Sequence, residues 1–183
     1  MKPPLKVFWL VSWYPHYCND SLGDFVRRQA IAASDFCEIK VCGVFPRAGI
    51  LGICIEANKI SPTLEEILIY YPSFSKGWKK YILRPLFMLR AGIVMYIKII
   101  KAWKPVGIHI HILHPLSALG LFYSLVLRVP LIVSEHSSVY FRNYFSQSRG
   151  IRRFIESLTI LRSSAIVVVS DALQGEMESN GIR

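Results

Sequence analysis

Acidic residues are scarce in this chain. Only 12 Asp and Glu stand against 22 Lys and Arg, a formal net charge of +10 over 183 residues. That excess attracts phosphates, nucleic acid or anionic lipid without choosing among them. Uninterrupted apolar runs are also lacking. The best of them, "LSALGLFYSLVLRVPLIVS", is broken by Arg128 and Pro130, which argues against a membrane span. Cysteine is limited to Cys18, Cys37, Cys42 and Cys54, with no CxxC or CxxH spacing. This reads as free small hydrophobes in a reducing compartment rather than a zinc or redox motif. There is no GxGxxG fingerprint, no phosphate-binding loop with its lysine and no G-x-S-x-G elbow. Internal repeats, low-complexity tracts and a recognisable nucleic-acid-binding module are missing too.

What is present suits a packed domain. The chain is 52% hydrophobic and 13% aromatic, enough for a substantial core and too much for general disorder. "MKPPLKVFWLV" has the outline of a secretion signal, but its two prolines and short apolar centre favour a buried first strand. Leu5 to Val11 is nearly all apolar, as in a parallel strand covered on both faces. A helix is predicted from Gly23 or Asp24, with Phe25, Gln29, Ala30 and Ala33 packed and Arg27 and Arg28 outward. "EIKVCGVFP" is a second strand closed by Pro46. Arg47 to Asn58 reads as a loop or an irregular hairpin, and "EILIYYPS" as a third strand. Lys79 to Trp103 reads as one long helix, or two divided near Pro85. "GIHIHIL", "PLIVS" and "AIVVVS" are further strands, with helices behind Pro115, over Ile151 to Arg162, and from Asp171 to Gly181. Strands alternating with helices, and too apolar for a half-wet antiparallel sheet, predict a doubly wound, Rossmann-like, mostly parallel α/β domain over residues 1–183.

Ligands of open parallel sheets collect beyond the C-terminal ends of the strands. The first such tip carries Ser12 to Gly23, where Gly23 can let helix-terminal amides approach an anion or can simply start a helix. Arg27 and Arg28 can contact a phosphate or acidic sugar, or be solvated surface. His109 and His111 share a strand face, with His114 beyond, but no Cys, Asp or Glu accompanies them at metal-ligand spacing. Glu135 and His136 follow an apolar strand at once, where a polar pair faces a cleft or caps a turn. His136 can donate a hydrogen bond or act as acid or base near neutral pH. Tyr140, Arg142, Asn143 and Tyr144 follow on a loop. Ser170 and Asp171 read as a helix cap. Lys79 to Lys104 holds seven basic residues and no acidic one, interleaved with aromatics. It reads as an amphipathic helix touching anionic lipid or as a sheet-packed helix with solvated lysines.

Four stretches, in order and at natural spacing, resemble the N-terminal domain of retaining glycosyltransferases with the two-domain GT-B architecture, glycosyltransferase family 4. "WYP" with "GDFVRRQAIAA" is similar to the family's first loop and helix. "KPVGIHIHILHP" resembles its strand ending in His-x-His, with Val106 in place of the common aspartate. "VPLIVSEHSS" and "AIVVVSDALQGEMESNGI" resemble its later strands.

The resemblance implies transfer of a sugar from a nucleotide-sugar donor, with retention, to a saccharide or lipid-linked acceptor, in bacterial surface or capsular polysaccharide assembly. It places Gly23 and Asp24 by the donor phosphates, His136 by the transferred sugar as a catalytic group other than a nucleophile, and Arg27, His111, Glu135, Tyr140 and Arg142 on the acceptor side. No metal or cofactor is expected beyond the donor substrate. The expected partners are a sugar acceptor, a C-terminal donor-binding domain not within these residues, and an anionic membrane, but no nucleic acid. The expected location is the cytoplasm or the inner face of its membrane, and the fragment alone is expected to be inactive. The rival reading is a non-catalytic α/β binding module.

Overall fold

The computed structural model describes residues 3–73, 79–136 and 150–179, and the backbone alone of Lys79 and Lys80. The chain divides into two compact units, Met1–Val106 and Gly107–Arg183.

In the first unit, β1 (Lys6–Val11), α1 (Asp24–Ala33), β2 (Glu38–Arg47), β3 (Cys54–Ser61) and β4 (Leu64–Pro72) come in chain order. α2 (Lys79–Met95), a π-helical turn (Tyr96–Ile100) and a last turn α3 (Lys101–Trp103) follow. The sheet order is β3-β4-β2-β1, parallel except for β3 against β4. Trp9, Val11, Tyr14, Val26, Ala30, Ile39, Val41, Phe45, Leu64 and Tyr70 form one buried cluster where α1 covers the strands.

Several details depart from the sequence reading, each for a local reason. β2 runs through Pro46 instead of closing there. β1 ends at Val11, opposite Gly43, so the outer part of β2 pairs only with β4 and the missing proline N–H has less ladder to interrupt. β3 is a strand where a loop or hairpin was predicted. It is an antiparallel edge strand with five consecutive exposed residues, so no apolar alternation marks it. The packed side of α1 is Val26 and Ala30 with Ala33 beside them, so Ala30 and Ala33 face inward as predicted while Phe25 and Gln29 are exposed. α2 passes through Pro85 without a break. The irregularity lies later, in the π turn, beyond which the indole Nε1 of Trp103 donates to Glu38 at 2.9 Å. Lys6 and Lys40 lie over the same ring at 5.9 and 5.4 Å.

In the second unit, β5 (Gly107–His111), β6 (Leu131–Glu135) and β7 (Ala165–Val168) are parallel in that order. They alternate with α4 (Ser117–Leu127), α5 (Ile151–Arg162) and α6 (Asp171–Ser179), and α4 packs on α5. The predicted cap is present at Ser170, whose hydroxyl accepts the Leu173 amide at 3.2 Å. The chain is thus an α/β fold of mostly parallel strands flanked by helices, as the alternation of strand and helix predicts.

Burial separates the two kinds of strand in the first unit. Ile69→Ala, at a fully buried position of β4, is expected to lower unfolding free energy by about 2–5 kcal/mol in chemical denaturation. Ile55→Ala, on edge strand β3, is expected to cost less than ~1 kcal/mol.

Candidate functional site

The loop from β1 to α1 is held by side chains rather than by a run of glycines. Tyr14, at its start, donates its hydroxyl to Glu66 Oε1 at 2.6 Å. Arg27, in the first turns of α1, donates Nε to the same oxygen at 2.7 Å and NH2 to Oε2 at 3.3 Å. Glu66 itself is buried on β4, so a carboxylate among Leu64, Leu68 and Tyr70 is met by a phenol and a guanidinium. Burial, followed by the Glu66 contact, pushes the Tyr14 phenol well above its ordinary range. The hydrogen bond to Glu66 raises the Arg27 guanidinium further. Arg27, expected on the acceptor side, is therefore already engaged by an internal carboxylate.

Gly23 starts α1 in the left-handed region, at φ 67°. A Cβ there would sit 2.5 Å from the Trp13 carbonyl, so only glycine lets the loop close on itself. Asn19 Oδ1 accepts the amides of Ser21 and Leu22 at 3.2 and 3.1 Å, and the His16 and Asn19 backbones bond reciprocally. Asp24, in the first helical turn, is paired with Arg28. Farther along the loop, the Tyr17 amide donates to the Tyr70 hydroxyl, and the Arg47 guanidinium lies 4.3 Å from the Tyr17 ring and 5.1 Å from that of Tyr70. His16 stacks on Phe45 at 4.2 Å. Glu66 and Arg47 were not singled out in the sequence. An acid on the inward-facing period of "LEEILIYY" was the available signal for Glu66, and Arg47 has none.

In the second unit, the strand period places His109 and His111 on one face, and their rings lie 4.1 Å apart. His136, just past β6, stacks on His111 at 5.9 Å between centroids with an interplanar angle of 8°. His109 Nε2 is 2.8 Å from the Ser134 hydroxyl. All three imidazoles are held below their ordinary pKa. Burial brings His109 down to about 4, with His136 adding repulsion. His111 lies well below 6.5 for burial first and its two neighbours second, and burial lowers His136. Near neutral pH the stack is uncharged, so His136 offers one N–H and one lone pair. His111 is 1% exposed and buttresses His136. Among the described residues, no three His, Cys, Asp or Glu side chains form a group that could hold a metal ion.

Glu135 is also buried, and its carboxylate holds backbone: Oε1 accepts the His136 amide at 2.9 Å and Oε2 that of Leu113 at 3.2 Å. It thereby ties the ends of β5 and β6 together. Between them Ile112 adopts φ 66°, a costly conformation for a β-branched residue, while its amide donates to the Ser134 carbonyl. Behind this turn, Glu156 is buried on α5, accepts Arg152 Nε at 3.1 Å and stands 3.6 Å from His114 Nδ1. The structure gathers His111, Glu135 and His136 in the second unit, whereas Gly23, Asp24 and Arg27 belong to the first. Tyr140, Arg142, Asn143 and Tyr144 lie outside the described residues.

Comparison with known proteins now has a geometry to meet. Residues 59–183 match the family described as Glycosyltransferase Family 4. No curated protein matches the sequence. Among solved structures, UGT73P12 of Glycyrrhiza uralensis, complexed with glycyrrhetinic acid 3-O-monoglucuronide, is similar with a TM-score of 0.55 at 11% identity. The similarity covers 98% of this chain and 48% of that one, so the chain spans about half the length of the structure it matches. At that identity the likeness speaks to fold alone, and the fold is one half of a GT-B glycosyltransferase.

Two measurements test the geometry. Glu66→Ala leaves Tyr14 and Arg27 without their acceptor and is expected to cost about 2 kcal/mol in denaturant unfolding, allowing for the half-exposed Arg27. An unchanged midpoint would mean that the carboxylate does not organise the loop. For the histidine stack, the folded chain binds fewer protons than the unfolded chain between pH about 4 and 6.5. Stability is therefore full above pH ~6.5 and falls as pH drops toward ~4, by about 3 kcal/mol from His109 alone. Denaturant midpoints across that range should show the slope, and His109→Asn should flatten it.

Proposed function

The chain belongs to glycosyltransferase family 4, and from that premise we propose that it serves as the acceptor-side domain of a retaining sugar transferase. In this reaction the bond from the anomeric carbon to the donor diphosphate breaks, and a bond to an acceptor hydroxyl forms on the same face of the sugar. The acceptor proton and the nucleoside diphosphate leave. The acceptor is a saccharide, free or lipid-linked, and the setting is assembly of a bacterial surface polysaccharide on the cytoplasmic side.

What supports this reading most is His136, which lies within the family-matched residues, at the end of a parallel strand, and uncharged near neutral pH. A neutral imidazole can donate a hydrogen bond to a sugar hydroxyl without adding charge beside a developing oxocarbenium ion. Glu135 and His111 are positioning residues: one fixes the His136 backbone and the other supports its ring. The loop closed by Gly23 has its shape fixed in advance, which suits a wall against the donor diphosphate while a donor-binding domain supplies most of the phosphate contacts.

The test is turnover by the complete gene product over a panel of nucleotide sugars, with and without membrane lipid extract, reading nucleoside diphosphate release. His136→Ala is expected to lower kcat by about 100-fold or more with an unchanged thermal midpoint. Nuclear magnetic resonance of the product anomer checks retention. No turnover with any donor, or equal turnover by the variant, would overturn the assignment.

A further inference from the structure

On α2, Ile82, Leu86, Leu89 and Ile93 recur at i, i+4, i+7 and i+11, which aligns them on one helix face. An amphipathic helix of a folded domain normally turns such a stripe inward. Here these residues are 53, 54, 57 and 51% exposed, and Ile97 in the π turn continues the stripe at 60%. The inward side of the same helix is made instead by Ala91, Met95 and Ile100, all fully buried. The helix therefore carries two apolar faces, and one of them faces outward.

The charge around that outer face narrows what can cover it. Arg90, Lys98, Lys101 and Lys104 are all exposed, and no acidic residue occurs between Lys79 and Lys104. The 4-3-4 spacing is that of a helix-pairing seam, so a second copy is the natural rival. Pairing two copies through this face would set basic residues against basic residues, with no carboxylate on either helix to offset them. An anionic lipid surface presents the opposite sign and an apolar layer beneath it. No helix among the described residues is long and apolar enough to cross a membrane, so the geometry is that of a helix lying in the interface. Trp103, which the sequence pattern would add to such a face, is instead engaged with Glu38.

We propose that the outer face of α2 docks on an anionic bilayer. Ile82, Leu86, Leu89, Ile93 and Ile97 enter the boundary between headgroups and acyl chains, and the flanking Arg and Lys residues contact lipid phosphates. The docking goes beyond sugar transfer and does not depend on it, because vesicle binding is read without turnover.

The experiment is flotation of the full protein with phosphatidylcholine vesicles, with and without phosphatidylglycerol. Binding is expected only with phosphatidylglycerol and is expected to weaken as salt shortens the screening length. Arg90→Gln/Lys98→Gln/Lys101→Gln should reduce partitioning by roughly 100-fold, at about fivefold per basic residue. Leu86→Ser/Leu89→Ser/Ile93→Ser should reduce it by at least about tenfold, with an unchanged thermal midpoint because the positions are exposed. If the serine variant unfolds, the glutamine variant alone decides. Equal binding to neutral vesicles, or none to anionic ones, overturns the proposal. So does a dimer in sedimentation velocity that the serine variant converts to monomer.

Discussion

A carboxylate buried on the core face of a strand must be met by donors, or it costs more than a small domain can spare. Glu66 is such a group, and the loop between β1 and α1 is arranged around it. Tyr14 comes to it from the start of the loop and Arg27 from the helix beyond, so both ends of the loop are fixed at one point on β4. Between those ends the backbone closes so tightly at Gly23 that no side chain fits. Loops of this kind are usually stiffened by backbone amides gathered on a bound anion. This one is stiffened by its own side chains.

The second unit uses a buried acid differently. Glu135 holds two backbone amides that follow neighbouring strands. The strained turn at Ile112 persists between those anchors. The histidines on the same strand ends are uncharged near neutral pH for want of solvent. The two units thus position polar residues at strand ends by the same means, a carboxylate withdrawn from water.

Much of this was legible in the sequence. Buried parallel strands advertise themselves by unbroken apolar runs, so β1, β2, β4, β5, β6 and β7 were visible, and the family motifs followed from their order. Edge strand β3 was not visible, because a strand with water on its surface carries no alternation to read. The packed face of α1 was half legible: Ala30 and Ala33 lie inward as predicted, but Phe25 looks like core and is exposed, and Arg27 is drawn inward by an acid 39 residues away. Such long-range pairs leave no local trace. His136 and Glu135 stood out because polar residues directly after an apolar strand are conspicuous. Their separate jobs did not, because one side chain holds backbone and the other does not.

The π turn at Tyr96–Ile100 bears on how this chain can change over time. A π turn holds an additional residue within a helix, so it behaves like a single insertion that was accommodated without breaking the element. Removing one residue there would restore an ordinary helical turn and leave the phase of everything after it nearly unchanged. Trp103 would keep its place beside Glu38, Lys6 and Lys40. Length is therefore more forgiving in this turn than in the regular turns of α2, where the loss of one residue would rotate the indole by about a quarter turn.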